Sequence, residues 1–209
     1  MTHDPKAGNK FCQFGTCLIR CDKETNSLYF EGYFDIKDLA HWLDSPRLVR
    51  FGGEFDSAWT VAQHSVYVSR VMHKFLGPRA ALHGLLHDAS EAFLGDICGP
   101  IKALCGEPLR AVEEQLQDAI YRMLHVPEEL RPSKADSSVV KYYDQQSLIF
   151  EVKQFSPTAL APAWNKWLEA QTVDKGTQDL FFDEVMCDDI YGHALFIRQF
   201  ELLRKELLT

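Results

Sequence analysis

Residues 83–102, HGLLHDASEAFLGDICGPIK, bring together side chains that could bind a metal ion or transfer a proton. Asp88 directly follows His87, and Glu91 comes one helical turn after His87. An imidazole beside a carboxylate is typical of a metal ligand pair, and a second carboxylate one turn further on could act as a general acid or base. The alternative interpretation is a solvated polar helix face. For an isolated His-Asp dipeptide, this alternative would be the favoured one.

The apolar residues of this stretch predict an amphipathic helix, because they recur at helical spacing. They are Leu82, Leu85, Leu86, Ala89 and Phe93. On a continuous helix, His83, His87 and Glu91 would lie along one row, with one turn between neighbours. Gly95 is a typical residue with which to end that helix, and Asp96 would then lie just beyond its end.

Two more residues with ligand chemistry fall on faces that the sequence predicts to be buried. The pattern T-V-A-Q is a capping box that predicts a helix start, and His64 lies on the apolar stripe of that helix. Asp144 lies between Val140 and Leu148 on the inward row of a later helix. A buried imidazole or carboxylate needs a partner. A metal ion would serve both, but a hydrogen-bonded core histidine and a salt bridge from Asp144 to a lysine or arginine would also satisfy them.

The composition is that of an ordinary soluble globular protein, with 46% hydrophobic and 25% charged residues in a chain of 209. No apolar run approaches the roughly 18 residues of a membrane span, and the start of the chain lacks the apolar segment of a signal peptide. A cytoplasmic protein is therefore expected. The formal net charge of −8 disfavours a broad nucleic-acid-binding surface, although a few local cations could still hold a small phosphorylated ligand.

The order of elements predicts an all-α fold with a small N-terminal β-hairpin, in a single domain that covers residues 1–209. The strand-like segments TCLIR and LYFEGYF flank the polar turn DKETN and form an arm at about 11–34. Helices predicted from apolar stripes form a core at about 35–155. Further helices are expected at about 160–209.

The six cysteines contain no C-x-x-C pair. Cys12, Cys17 and Cys21 could belong to a zinc site, but the gaps between them match no common zinc knuckle. Free, reduced thiols are the favoured interpretation for all six, and they agree with a cytoplasmic protein.

Taken together, His64, His87, Asp88 and Asp144 provide two imidazoles and two carboxylates from three predicted helices. Such a set suits Mn²⁺, Co²⁺, Fe²⁺ or Zn²⁺. The order H…HD…D resembles the HD-domain metal-dependent phosphohydrolase superfamily. The stretch HDASEAFLGDICGPIK is similar to the HD–x–x–E–x–x–x–G–D–x–x–x–P–x–K block of its nucleotide-acting branch, and TVAQHS is similar to the first-histidine motif of that branch. The resemblance spans about residues 30–155.

The resemblance implies an HD-domain helical bundle with a bound divalent metal ion, which could be Co²⁺, Mn²⁺, Zn²⁺ or Mg²⁺. The metal ligands that it implies are His64, His87, Asp88 and Asp144. Glu91 would be the acid/base or water-positioning carboxylate. Asp96 would be a second catalytic carboxylate, near the attacking water or an extra metal.

Two groups within that branch bear on the substrate: the phage dATP triphosphohydrolases and, more distantly, the bacterial 5′-deoxynucleotidases. Both place an arginine and then an aromatic residue ahead of the first histidine, where this chain has Arg50, fourteen positions before that histidine, and Phe51. The arginine would bind phosphate, and Phe51 would pack on the sugar or base. Many relatives have tryptophan at that position, so the resemblance does not settle base and sugar selectivity. The phage enzymes also have two lysines that match Lys102 and Lys141, and Pro100 would lie at the base pocket.

Three cations are more than a monophosphate needs, so the resemblance favours a triphosphate substrate. The expected activity is that of a metal-dependent deoxynucleoside triphosphate triphosphohydrolase, which would convert dATP to deoxyadenosine and triphosphate. A 5′-deoxynucleotidase acting on monophosphates is the first alternative. Two others are a module that binds nucleotides without hydrolysing them and a mixed-valent di-iron oxygenase, which would need extra histidine ligands such as His83.

The expected partners are a small deoxynucleotide and further copies of the same chain, in a dimer or a hexamer. Neither a nucleic-acid polymer nor a membrane is expected to bind. If a phage encodes the protein, its location would be the host cytoplasm.

Overall fold

Helices form most of the described part of the chain, and a short antiparallel sheet comes before them. The structure is a computed structural model, which describes residues 11–22, 24–54, 59–157, 161–185 and 192–208. In chain order, the α-helices are α1 (Ile36–Leu43), α2 (Val61–Leu76), α3 (Pro78–Leu86), α4 (Glu91–Leu94), α5 (Gly99–Cys105), α6 (Glu107–Met123), α7 (Lys134–Phe155), α8 (Ala161–Glu169), α9 (Lys175–Val185) and α10 (Gly192–Leu208). The prediction of a mostly helical fold is confirmed. Within these ranges, no helix has both the length and the apolar character needed to cross a bilayer.

The N-terminal arm is a three-stranded antiparallel sheet rather than a hairpin. Its strands are β1 (Phe11–Phe14), β2 (Cys17–Asp22) and β3 (Ser27–Glu31), in the spatial order β1-β2-β3. The predicted hairpin corresponds to β2 and β3, and the prediction missed the strand β1. A tight turn allows β1 to pair with β2, and Gly15 in that turn has a φ of +55°, which a glycine adopts without strain.

Aromatic side chains attach the sheet to the helices around residue 91. The ring of Phe14 on β1 lies 5.0 Å from that of Phe93 on α4, and Trp42 on α1 lies 5.5 Å from Phe93. Phe34, which is almost fully buried, packs on both Trp42 and Phe93. Edge-to-face and tilted contacts of this kind favour one packing arrangement. They fix the position of α4 and therefore of Glu91, its first residue.

Side-chain caps start the helices that carry the candidate ligands. The Thr60 hydroxyl accepts from the backbone of Gln63 at the start of α2, and the Gln63 side chain accepts from the Thr60 backbone. Ser133 and Asp136 form the same reciprocal pair at the start of α7. Such boxes satisfy backbone N–H groups that have no partner inside the helix. The predicted capping box of α2 is confirmed.

Helix α2 is buried on more than one side, so several polar residues along it lie inside the protein. Its apolar residues contribute to two separate hydrophobic clusters, one with α3 and α10 and the other with α7 and α9. His64, Ser65 and Ser69 are fully buried within this helix. The predicted inward position of His64 is therefore confirmed.

A glycine allows α2 and α3 to approach closely. A Cβ atom on Gly84 would lie 2.7 Å from the sulfur of Met72 and 3.3 Å from the Cα atom of Ser69. The Ser69 hydroxyl also donates to the carbonyl of Ala81 at 2.8 Å. This close contact brings the end of α3, where His87 lies, near the centre of α2.

The predicted continuous helix through His83, His87 and Glu91 is wrong. Helix α3 ends at Leu86, and tight turns of the i to i+3 type follow, including one from the Asp88 carbonyl to the Glu91 amide at 2.9 Å. His87 still has helical φ and ψ angles, and the tightened backbone comes after it, so Glu91 no longer continues the row of His83 and His87. His83 is instead buried and donates through Nε2 to the carbonyl of Leu130 at 2.8 Å. The spacing of apolar residues over a single turn does not distinguish an α-helix from a tighter 3₁₀-type turn.

Candidate metal centre

Four side chains converge between α2, the turn after α3, and α7. They are His64, His87, Asp88 and Asp144, and one ligand atom from each lies within 4.8 Å of the others. The Nε2 atom of His64 is 3.2 Å from Asp144 Oδ1, and the Nε2 atom of His87 is 3.2 Å from Asp88 Oδ2. In the described part of the chain, this is the one group of side chains able to hold a metal ion. Asp144 is thus paired with histidines, and no lysine or arginine among the described residues forms the alternative salt bridge with it.

The hydrogen bonds of the two imidazole rings show which nitrogen atoms are available as ligands. His87 Nδ1 lies 2.7 Å from the carbonyl oxygen of Gly84, and His64 Nδ1 lies 2.6 Å from Oε1 of Glu151. Carbonyl and carboxylate oxygens accept hydrogen bonds, so both Nδ1 atoms carry hydrogen. Each neutral ring then has its lone pair on Nε2. The two Nε2 atoms face each other at 3.3 Å between two carboxylates, an arrangement that favours a proton or a metal ion between them.

The pKa values of the four residues show the same preference for positive charge. Burial alone would lower the pKa of His87, but Asp88 and Asp144 outweigh burial and raise it well above its ordinary value. Burial and Arg50 would lower the pKa of His64, and Glu151 and Asp144 more than reverse this effect. The pKa values of Asp88 and Asp144 shift in the opposite direction. Burial would raise their pKa values, yet the histidines hold both below the ordinary value. The centre therefore favours positive charge between two carboxylates.

Glu151 on α7 belongs to this site, although the sequence reasoning missed it. Its side chain is fully buried, with Oε1 at His64 and Oε2 accepting from Arg50 Nε at 2.9 Å. Burial would raise the pKa of Glu151, but Arg50 and His64 lower it to about 2. A signal was present in the sequence, because Glu151 follows Asp144 by seven residues, or about two turns along the same face of a helix.

The predicted substrate residues Arg50 and Phe51 lie beside the cluster, in a 3₁₀ turn at Arg50–Gly53. Arg50 is only 10% exposed, and its Nη1 atom is 3.5 Å from Asp88 Oδ2. Its guanidinium group lies over the ring of Phe51 at 5.6 Å, and that ring meets Trp164 edge-on at 6.0 Å. The structure therefore brings Arg50 to the four candidate ligands and places an aromatic surface next to it.

Glu91 is the second buried carboxyl group at the centre. Lys102 donates to its Oε1 atom at 3.1 Å, whereas Oε2 has no hydrogen-bond partner among the described residues. Burial raises the pKa of Glu91 well above its ordinary value, and the negative charges of Asp88 and Asp96 raise it further. A carboxyl group with a raised pKa and an unpaired oxygen is suited to exchanging a proton with a ligand. Asp96 lies just past α4 and is partly exposed.

A cleft of about 610 Å³ opens beside His87 and Asp144. Three cationic side chains line it, namely Lys102, Arg110 and Lys141. The sequence predicted both lysines but not Arg110, which lies on α6, a helix from which the HD pattern takes no residue. Pro100 is exposed in the first turn of α5 and is not one of the residues that line this cleft, so its place at a base pocket stays a prediction.

The structure also bears on two alternatives that the sequence left open. The five cysteines in the described ranges are free thiols, and Cys187 lies outside the described residues. Cys12, Cys17 and Cys21 do not form a metal-binding group among the described residues. His83 does not join the metal cluster, so it does not supply the extra ligand that a di-iron oxygenase would need.

Comparisons with known proteins provide relatives without a named activity. No family model matches the chain. An uncharacterized protein of Rhodobacter capsulatus is 32% identical over 135 residues, which cover 62% of this chain and 66% of that protein. The uncharacterized protein YfdR of Escherichia coli is 32% identical over 109 residues, which cover 52% of this chain and 54% of YfdR. The chain thus spans between about half and two thirds of the length of these relatives.

Proposed function

We propose that this protein is a metal-dependent phosphohydrolase that acts on deoxynucleotides. The observation that carries the proposal is the pair of imidazole Nε2 atoms facing each other between two carboxylates, with a buried arginine at the edge of the cluster. Two nitrogen and two oxygen donors suit a divalent transition metal. The resemblance of the HD motifs to nucleotide-acting phosphohydrolases supplies the reaction class.

The metal would be held by His64, His87, Asp88 and Asp144. When bound, a divalent ion lowers the pKa of water and polarises a phosphoryl oxygen. Arg50 lies beside the ligands and binds the phosphoryl group through its Nη atoms, which offsets the negative charge that develops on the phosphate oxygens. Glu91 or Asp96 transfers the proton between water and the leaving oxygen.

The preferred substrate is a deoxynucleoside triphosphate, with dATP as the first candidate. Lys102, Arg110 and Lys141 line one cleft that begins at the metal ligands, in a chain whose net charge is −8. Local positive charge of this kind attracts a polyanion, and a triphosphate tail has enough oxygen atoms for all three residues. Water would attack the α-phosphorus and the bond to the 5′ oxygen would break. The products are a deoxynucleoside and triphosphate.

A 5′-deoxynucleotidase is the second candidate, and a specific observation favours it. Lys102 already donates to Glu91 and lies 3.3 Å from Glu113, so two carboxylates compete with any phosphate for this lysine. Arg50 and the metal could then be enough to hold a monophosphate. In that case the products would be a deoxynucleoside and phosphate.

Product analysis distinguishes these candidates. The purified protein is incubated with each of the four deoxynucleoside mono- and triphosphates, in Mn²⁺, Co²⁺ or Mg²⁺, and the products are separated by ion-exchange chromatography. We expect deoxyadenosine and triphosphate from dATP. A preference for dAMP would favour the 5′-deoxynucleotidase, and no hydrolysis with any metal would contradict both candidates.

A further inference from the structure

We propose that Glu151 is a positioning residue that holds two parts of the centre, the metal ligand His64 and the cation Arg50, in one fixed arrangement. The inference deepens the proposed function, and it rests on that function only for the role of Arg50 in binding phosphate. The effect of Glu151 on metal binding is independent of any reaction.

The two oxygen atoms of Glu151 have different partners. Oε1 lies 2.6 Å from Nδ1 of His64, and Oε2 lies 2.9 Å from Nε of Arg50. Hydrogen bonds that involve an ionised group are shorter and stronger than neutral ones. The Glu151 side chain is fully buried, so water does not replace a lost contact and a partner left alone would remain unsatisfied.

The first contact determines which nitrogen atom of His64 faces the cluster. An ionised carboxylate accepts hydrogen bonds and does not donate them, so His64 donates through Nδ1. The lone pair of the neutral ring is then on Nε2, which points towards His87 and Asp144. A partner that donated to Nδ1 would place the hydrogen atom on Nε2 and block metal binding.

The second contact orients Arg50. Because Glu151 takes the Nε atom, the Nη end of the guanidinium group extends towards the cluster, where Nη1 lies 3.5 Å from Asp88. Arg50 is in a 3₁₀ turn in which Phe51 has a φ of +59°, so the backbone conformation there depends on tertiary contacts. The Glu151 carboxylate is a buried contact that fixes this arginine from a distant part of the chain.

The rest of α7 supports the same geometry. The hydroxyl of Ser147, one turn before Glu151, donates to Oε1 at 2.9 Å and lies 3.2 Å from His64 Nδ1. Asp144 supplies a ligand atom from the same helix. Helix α7 therefore provides one metal ligand directly and orients another on α2.

The test is the metal affinity of Glu151→Gln, measured with Co²⁺ against a competing chelator. The amide keeps the shape of the side chain but accepts through one atom only, so it satisfies either His64 or Arg50 but not both. Loss of an orienting carboxylate typically weakens metal binding by about 10- to 100-fold. The visible absorption spectrum of bound Co²⁺ should also change, which a general loss of stability would not cause.

Glu206→Gln is the matched control. Glu206 also accepts from a histidine, His73 Nε2, at 2.8 Å, but this pair is on the surface and not at the cluster. Metal affinity and the Co²⁺ spectrum of this variant should equal those of the wild type. Wild-type affinity and spectrum in Glu151→Gln would overturn the inference.

A second variant is available if Glu151→Gln does not fold. Ser147→Ala keeps the Glu151 charge but removes the hydroxyl that holds Oε1, so metal binding should weaken by a smaller factor. If Glu151→Gln does not fold, a Ser147→Ala variant that binds Co²⁺ as tightly as the wild type would overturn the inference. The proposed function can fail while the inference holds. A protein whose metal binding depends on Glu151 but which hydrolyses no deoxynucleotide would contradict the proposed function alone.

Discussion

The Nε2 atoms of His64 and His87 lie 3.3 Å apart, and each ring uses its Nδ1 atom for a different hydrogen bond. Two neutral imidazoles with this geometry direct lone pairs at each other, which is favourable only when a proton or a metal ion lies between them. Asp88 and Asp144 add negative charge at the same point. This relationship makes the metal-binding prediction specific to named atoms.

Asp88→Ala should abolish metal binding and activity, because it removes one of the four candidate ligands. The wild type should melt at a higher temperature when metal is added, since a ligand at 100 times its Kd stabilises by about 2.7 kcal/mol. Differential scanning fluorimetry with and without Co²⁺ should show this shift in the wild type and not in the variant. Asp179→Ala, at an exposed carboxylate paired with Lys175, is the control. A metal-loaded, active Asp88→Ala protein would refute the assignment.

Glu91→Gln should retain metal and lose turnover. The amide preserves the shape of the side chain but cannot transfer a proton, a loss that commonly costs about 10²- to 10⁴-fold. Metal content and kcat are measured on the same preparation. Glu113→Gln is a matched control, because it also removes a carboxylate next to Lys102 but leaves the buried acid in place. Near-normal turnover combined with metal loss would instead show that Glu91 is a ligand.

Neutralising Lys102, Arg110 or Lys141 should weaken the hydrolysis of dATP and hardly change that of dAMP. A partly exposed ion pair is worth up to about 1 kcal/mol, or roughly fivefold in kcat/KM, and we expect the loss to appear in KM. Arg50→Ala should impair both substrates. Arg122→Ala, on the same helix as Arg110 but paired with Asp118, should change neither. Equal losses on both nucleotides for the three cleft variants would contradict a triphosphate-binding cleft.

Asp136→Asn should destabilise α7, because the Asp136 carboxylate accepts from the Ser133 amide at 2.7 Å in the capping box. Loss of such a cap costs about 0.5–2 kcal/mol. The Ser133 hydrogen bonds lower the pKa of Asp136 from 3.8 to about 2 in the folded protein. The stabilisation is therefore complete above about pH 4 and is lost as the pH falls towards 2. Urea unfolding of the metal-free protein should show the difference from wild type shrinking over that interval. A difference that does not depend on pH would contradict this origin.

Much of the local structure could be predicted from short-range signals. The pairs Thr60–Gln63 and Ser133–Asp136 begin α2 and α7 because the groups that form a capping box lie within one turn of each other. Helical periodicity likewise placed His64 inside the protein, since an apolar stripe identifies the buried face of a helix. The types and order of the four ligands also came from the sequence. These properties depend on neighbours along the chain.

Tertiary packing decided the rest. The tight turns after His87 remove Glu91 from the row that His83 and His87 begin, and the aromatic contacts of Phe93 hold this segment in a position that periodicity does not predict. Glu151 became part of the site only because α7 packs against α2, which brings its carboxylate to His64 across 87 positions of sequence. Arg110 lines the cleft because of where α6 lies. Residue type indicates what a side chain can bind, but the partner it meets depends on long-range packing that no local pattern specifies.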